Sequence, residues 1–284
     1  MITPFTSSQK VNYEAAAKIA SYLVKEQGSE GIVVTGTTGE SPTLSVEEKI
    51  ALYRTVKKEV GSKAMVIAGT GSYDTKSSIE LTLKAAEVGV DGFLLVAPYY
   101  NKPSQKGLLE HFKAIAEVTT LPVIIYNVPS RTGVNISADT CIELSFIENI
   151  VGVKEASGDL EQIAIICRET EDNFLVYSGD DSLTLPILSV GGIGVISVAS
   201  HLVGKEIKKM IDAYKEGRVI EAASLHQKLM PLFKGMFMES NPVPVKESMR
   251  MKGFDVGLPR LPLVELSEEK KKMLEELLQS YKLI

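Results

Sequence analysis

Lys154 closes a short apolar run, Ile150-Val151-Gly152-Val153, that reads as a buried parallel strand. An amine held at such a strand end loses hydration, which disfavours its charged form. A neutral lysine can attack a ketone and form a Schiff base. A lysine there can equally snorkel to solvent with its stem along the sheet, so its neighbours must decide. Other strand-like runs also end on polar groups: Thr37 and Thr38, Tyr99 and Tyr100, Tyr126 and Asn127, and Gly179-Asp180-Asp181, with Arg131 in the loop beyond Asn127. Taken singly these are ordinary cap, turn and packing residues. Taken together they suit chemistry on a 2-oxo acid. Lys154 forms the imine, while Tyr126 and Thr37 relay protons because phenol and hydroxyl both donate and accept. Arg131 grips one carboxylate with its fork. The Thr38 hydroxyl and backbone N–H groups hold another.

Those residues converge only if their strands end at one mouth. The opening Met1-Ile2-Thr3-Pro4-Phe5 could be the tail of a strand, and strand-like runs recur at Gly31–Thr35, Ala64–Ala68, Gly92–Ala97, Pro122–Asn127, Ile150–Val153, Phe174–Tyr177 and Gly194–Val198. Helical patterns separate them: one carrying Tyr13, Ala16, Ile19, Ala20, Leu23 and Val24 on a face, one opened by the capping box Ser45-Val46-Glu47-Glu48, then Asp74–Val88, Ser104–Val118, Ser137–Phe146, Asp159–Glu169 and Asp181–Ser189. Gly89 is placed as a helix C-terminal stop. Eight strands alternating with helices predict parallel strands with helical crossovers. The expected fold class is α/β, a TIM (β/α)8 barrel whose first strand is truncated, followed by a C-terminal helical domain. Barrel enzymes keep their chemistry at the C-terminal strand ends. The barrel is expected over residues 1–217. Residues 218–284 offer helical runs at Ala222–Phe237, Val243–Met251 and Ser267–Tyr281, with proline-rich corners between them. A doubly wound nucleotide-binding sheet is the rival, but no G-x-G-x-x-G follows a strand and Gly191-Gly192-Ile193-Gly194 precedes one.

Composition narrows the class. With 44% hydrophobic residues the chain can bury a sizeable core, and a net charge of −5 argues against a general nucleic-acid binder. The mixed run Glu268-Glu269-Lys270-Lys271-Lys272 reads as a solvated helix face. Cys141 and Cys167 form neither a disulfide framework nor a metal cluster, and read as buried reduced thiols of a cytoplasmic protein. His111, His201 and His226 lie far apart, without metal-ligand spacing, and read as structural or surface residues. No apolar run reaches the roughly 18 residues of a membrane span and no signal peptide is visible.

Four motifs, in order, carry a resemblance that covers essentially the whole chain: Gly36-Thr37-Thr38-Gly39-Glu40-Ser41, Pro98-Tyr99-Tyr100-Asn101-Lys102-Pro103, Tyr126-Asn127-Val128-Pro129-Ser130-Arg131-Thr132-Gly133 and Val153-Lys154-Glu155. With Asn241-Pro242-Val243-Pro244-Val245-Lys246 in the C-terminal part, they resemble the dihydrodipicolinate synthase family, the lysine-pathway branch of the pyruvate-dependent class I aldolases. The resemblance implies condensation of pyruvate with L-aspartate 4-semialdehyde to 4-hydroxy-tetrahydrodipicolinate. It implies that Lys154 is the Schiff-base lysine, that Tyr126 assists imine formation and proton transfer, and that Thr37 links Tyr126 to Tyr100. Tyr100 would come from a neighbouring subunit of a homo-oligomer, a dimer or a dimer of dimers. Thr38 would bind the pyruvate carboxylate, Arg131 the semialdehyde carboxylate, and the backbones of Gly179 and Ile196 would line the lysine pocket. No metal or organic cofactor is implied, since the imine on Lys154 is itself the electron sink. The N-acetylneuraminate lyase branch usually carries Ser-Thr at Thr37-Thr38 and lacks an arginine at Arg131. It stays open as an alternative together with 2-keto-3-deoxy sugar acid aldolases and a catalytically dead ligand-binding relative.

Two features depart from the family pattern. Most members have further residues before the Thr3-Pro4-Phe5 motif, forming most of the first barrel strand. A shortened strand is expected to leave backbone groups unpaired, and so to reduce stability, weaken assembly or signal a start upstream of Met1. Where regulated members bind lysine with histidine, asparagine and glutamate side chains, this chain has Val46, Lys49, Tyr73 and Ser77. That set offers no carboxylate, and insensitivity to L-lysine is the expectation.

Overall fold

Polar caps stand where the sequence puts them, and they set the helix starts. In the computed structural model, which describes residues 1–284, Ser45 accepts the Glu48 N–H at 3.2 Å while the Glu48 carboxylate takes the Ser45 N–H at 3.0 Å. The side chains of Asp74, Ser104, Ser137, Asp159 and Ser267 cap five more helices by accepting a first-turn N–H, without the reciprocal bond. Gly89, at φ +82°, follows its helix as expected.

The strands are β1 (Gly31–Val34), β2 (Met65–Gly69), β3 (Gly92–Val96), β4 (Val123–Asn127), β5 (Ile150–Glu155), β6 (Leu175–Ser178) and β7 (Gly194–Val195). The helices are α1 (Tyr13–Lys25), α2 (Val46–Val60), α3 (Thr75–Glu87), α4 (Gln105–Ala116), α5 (Pro129–Thr132), α6 (Ala138–Ser145), α7 (Leu160–Glu169), α8 (Thr184–Ser189), α9 (Ser200–Lys215), α10 (Val219–Gly235), α11 (Val243–Met251) and α12 (Glu268–Ser280). The strands pair in sequence order, β1 to β7, with parallel pairing from β2 onward. A doubly wound sheet reverses its order at a switch point. This sheet does not.

Two compact units divide the chain: Met1–Val66 with Val198–Ile284, and Ile67–Ser197. In the second, Phe93, Leu95, Val123, Ile125, Val153 and Val176 bury the strands, and Leu108, Phe112, Ile115, Ile163 and Ile166 bury the helices. Gly152 is required for this packing, because a Cβ there would lie 2.2 Å from the Leu175 carbonyl oxygen. In the first unit α1, α2 and α9 contribute Ile19, Leu23, Leu52, Val56, Ile207 and Met210 to the core.

Two strand bounds need correction. The strand that carries Lys154 does not stop at Val153. β5 continues through Glu155, because Lys154 pairs with Tyr126 and Tyr177 and the ladder is closed by the Gly179 N–H on the Glu155 carbonyl at 2.7 Å. The first strand is as short as expected: Phe5 makes only a lone antiparallel bridge to Val11, while Met1, Ile2, Thr3 and Phe5 are buried. The last strand stops at Val195 rather than Val198, although the Ile196 N–H still donates to the Ser178 carbonyl. Helix α9 has no counterpart among the expected segments, and Val203 (φ −134°, ψ 37°) interrupts its regular geometry. Cys141 is buried, Cys167 half-buried, and both are free thiols. No helix is long and apolar enough to cross a membrane.

Two buried histidines give the fold an acid limit. His201 Nε2 accepts the Ile2 N–H at 3.1 Å, so Nδ1 carries the proton donated to the Val198 carbonyl at 2.8 Å. The ring is held neutral, and burial drives its pKa down to about 3. Burial likewise brings His111 down to about 4, against the opposing pull of Asp74. The unfolded chain takes up these protons near the ordinary value while the folded chain refuses them. Their stability contribution is therefore complete above about pH 6.5 and lost as pH falls toward 4 and 3. Urea unfolding from pH 6 to 4.5 is expected to show a steep fall in stability. His111→Asn should flatten that slope by up to ~1.4 kcal/mol per pH unit; an unchanged slope would refute the assignment.

Candidate active site

The end of β5 brings the predicted lysine against the predicted tyrosine. Tyr126 and Lys154 are register partners on β4 and β5, and Lys154 Nζ lies 4.3 Å from the Tyr126 ring centroid. Tyr126 is buried and Lys154 half-buried, so the lysine neither snorkels freely nor is sealed off. Gly179, just past β6, gives the amine its room: a Cβ there would stand 3.2 Å from Lys154 Cε and 2.8 Å from Ala156 Cβ. The Ile196 N–H extends the β6–β7 ladder to Ser178 at 2.9 Å. These four positions therefore sit on adjoining strand ends of one parallel sheet.

Arg131 lies on α5, a single turn started by Pro129 and stopped by Gly133 at φ +74°. Its side chain is exposed. Tyr99 is half-buried, its ring edge-on to Tyr73 at 5.4 Å, and burial pushes its phenol above the ordinary range. Tyr100 is different. It stands 93% exposed with a left-handed backbone, φ +74°, which is strained for a non-glycine residue.

Thr37 and Thr38 belong to the other compact unit, in a 3-10 turn after β1. There Asn241 Nδ2 donates to Thr38 Oγ1 at 3.0 Å. The turn ends on Glu40, left-handed at φ 55°, whose buried carboxylate is 2.7 Å from Lys246 Nζ. Asn241, Glu40 and Lys246 were not singled out by chemistry, although the first and last sit in the C-terminal motif. Glu155 was missed as well. Strand alternation could have found it, because a charged residue next to Lys154 in β5 must face the opposite, apolar layer.

Comparison with known proteins fits this arrangement. The dihydrodipicolinate synthetase family matches residues 1–281. The 4-hydroxy-tetrahydrodipicolinate synthase of Desulforudis audaxviator is 55% identical over 284 residues, covering 100% of this chain and 96% of that protein. The crystal structure of dihydrodipicolinate synthase from Bacillus anthracis superimposes with a TM-score of 0.96 at 52% identity, over 99% of this chain and 96% of that one. The enzyme from Cyanidioschyzon merolae, solved with lysine bound, gives 0.98 at 46% identity, over 100% and 97%. A parallel sheet in unbroken order, a lysine and tyrosine paired at its strand ends, and likeness along the full length have one reading: the fold is a TIM (β/α)8 barrel with a C-terminal helical domain, and the chain belongs to the dihydrodipicolinate synthetase family of lyases.

Proposed function

We propose that this chain condenses pyruvate with L-aspartate 4-semialdehyde through an imine on Lys154, giving 4-hydroxy-tetrahydrodipicolinate for diaminopimelate and lysine biosynthesis. The observation that carries the reading is Lys154 Nζ at 4.3 Å from the Tyr126 ring centroid, in a chain of this family. The free amine adds to C2 of pyruvate, the carbinolamine oxygen is protonated and leaves as water, and the imine forms. Loss of a C3 proton gives the enamine, which attacks the aldehyde carbon of the second substrate. The amino group of that substrate then displaces Lys154 and closes the ring, so one water is lost overall.

Tyr126 donates and accepts the protons of these steps, with Thr37 as the hydroxyl link to Tyr100. The exposure and strained backbone of Tyr100 support its serving a neighbouring copy in a homo-oligomer. Thr38 holds the pyruvate carboxylate and Arg131 the semialdehyde carboxylate, as a fork suits. The backbones of Gly179 and Ile196 line the lysine pocket.

Borohydride reduction in the presence of pyruvate, followed by peptide mass mapping, is expected to leave a stable adduct on Lys154. An unmodified Lys154 in folded protein would overturn the mechanism. Pyruvate consumption with aspartate semialdehyde, set against pyruvate release from N-acetylneuraminate, separates the synthase from a sugar-acid lyase.

Regulation gives a further expected result. Val46, Lys49, Tyr73 and Ser77 supply no carboxylate to an ammonium ligand, and the Ser77 N–H is taken by Asp74 at 2.7 Å. L-Lysine in the submillimolar range should leave the initial rate unchanged. Half-inhibition in that range would refute the expectation.

A further inference from the structure

The pairing of Tyr126 with Lys154 is not the default of its two strands. Val123 pairs with Ile150, but Ile124 pairs with Gly152, so Val151 is an extra residue and the register shifts there. In a strand, a one-residue slip turns every later side chain to the other face. Beyond the bulge, something must hold the register that sets Tyr126 against Lys154.

The opposite face of the same strand ends holds a candidate. Asn127 and Glu155 are the next register pair, and both are fully buried. Asn127 Nδ2 lies 3.2 and 3.1 Å from the two Glu155 carboxylate oxygens. The carboxylate also accepts the Ser157 N–H at 2.6 Å and Gln162 Nε2 at 3.3 Å. Asn127 Nδ2 reaches Asn135 Oδ1 at 2.7 Å, and Asn127 Oδ1 accepts the Ile136 N–H at 3.0 Å. Asn135 Nδ2 in turn donates to Gln162 Oε1 at 2.7 Å. The partners of the carboxylate are amides and the Ser157 hydroxyl, all neutral, and no cation offsets its burial.

A buried carboxylate served only by neutral groups is poor for stability, and an apolar pair of that volume would cost less. Burial accordingly pushes the Glu155 carboxyl above its ordinary range, the hydrogen bonds offsetting part of the rise. An apolar pair specifies register only through which face is buried, whereas this pair also ties one named residue to another by directional hydrogen bonds. The geometry points to Asn127 and Glu155 as positioning residues for imine formation: their buried clasp holds the register, set beyond the bulge, in which Tyr126 faces Lys154. The inference rests on Lys154 being the imine-forming residue.

The test follows the rate at which borohydride traps pyruvate on Lys154 at saturating pyruvate, per folded protein, alongside melting. Asn127→Asp sets two carboxylates against each other. It is expected to slow trapping by about 10- to 100-fold where both carboxyls are ionised, the scale of an ångström of misplacement, and by less at lower pH, where the two share a proton and one can donate to the other. Adding Glu155→Gln to Asn127→Asp exchanges the donor and acceptor roles, and should restore at least tenfold of the rate. Glu155→Gln alone keeps the side-chain shape and carries the same comparison if Asn127→Asp does not fold. Variants that trap at the wild-type rate while melting earlier, or a double variant slower than either single one, would overturn the clasp. A wild-type protein that yields no adduct on Lys154 would instead overturn the imine reading on which it rests.

Discussion

Lys154→Arg is expected to lower condensation by about 10⁴-fold or more, the scale seen when a covalent nucleophile is removed, without unfolding the chain. Arginine keeps a long nitrogen-tipped side chain, but its guanidinium does not become a free amine at any working pH and so cannot add to a ketone. The backbone of β5 supports the fold independently of that amine, through Lys154's pairing with Tyr126 and Tyr177 and through Gly152 and Val153. Lys154 Nζ meets the Tyr126 ring, and a guanidinium stacks on such a ring at least as well. Melting should therefore move little while pyruvate consumption and the borohydride adduct both vanish. Tyr126→Phe keeps the ring under the amine and removes only the hydroxyl. It should cost about 10²- to 10⁴-fold in rate, the range of one general acid–base group, and still form the adduct slowly. A Lys154→Arg enzyme that keeps a tenth of the activity would show that the chemistry runs without the imine.

The order in which the site became legible follows from the physics of each signal. Apolar runs and polar caps are local, so the positions of β1 to β6 and the starts of α2, α3, α4, α6, α7 and α12 could be read to within a residue or two. The apolar run ends at Val153, so sequence alone stops the strand there. The ladder to Asn127 and Ser178 that keeps Lys154 and Glu155 in β5 is made with strands distant in sequence. That Tyr126 faces Lys154 also depends on the bulge at Val151, and no periodicity announces a bulge. Helix α9 was lost for a related reason, since its start is interrupted at Val203 and lacks a side-chain cap. The residues with direct chemistry could be collected at strand ends once the alternation was seen. Those that hold them, Glu155 and Lys246, are charged groups in buried places, where sequence assigns charge to the surface.

Lys246→Met is the second large effect, and it falls on stability. Lys246 is 1% exposed; its Nζ sits 2.7 Å from Glu40 Oε1, 3.3 Å from the Leu258 carbonyl and 4.1 Å from the Phe5 ring centroid. The Arg260 N–H donates to the other Glu40 oxygen at 2.9 Å, and the Arg260 guanidinium covers Phe5 at 4.4 Å while binding Glu48 at 2.6 and 2.8 Å. Burial still draws the Lys246 ammonium below its ordinary range, so Glu40 does not fully repay its dehydration. Methionine fills the same volume but leaves the Glu40 carboxylate buried without its cation, which costs about 3–5 kcal/mol. At a few degrees per kcal/mol, the melting temperature should fall by about 10 °C. Glu40→Gln combined with Lys246→Met removes both charges and should recover most of that loss. If the double variant is as unstable as the sum of the single ones, the pair is not coupled in this way. The recovered protein then carries a sharper comparison. Glu40 follows the Thr37-Thr38-Gly39 turn directly and holds a left-handed backbone, so a double variant that melts normally but condenses slowly would show that the ion pair sets the turn rather than the stability of the fold.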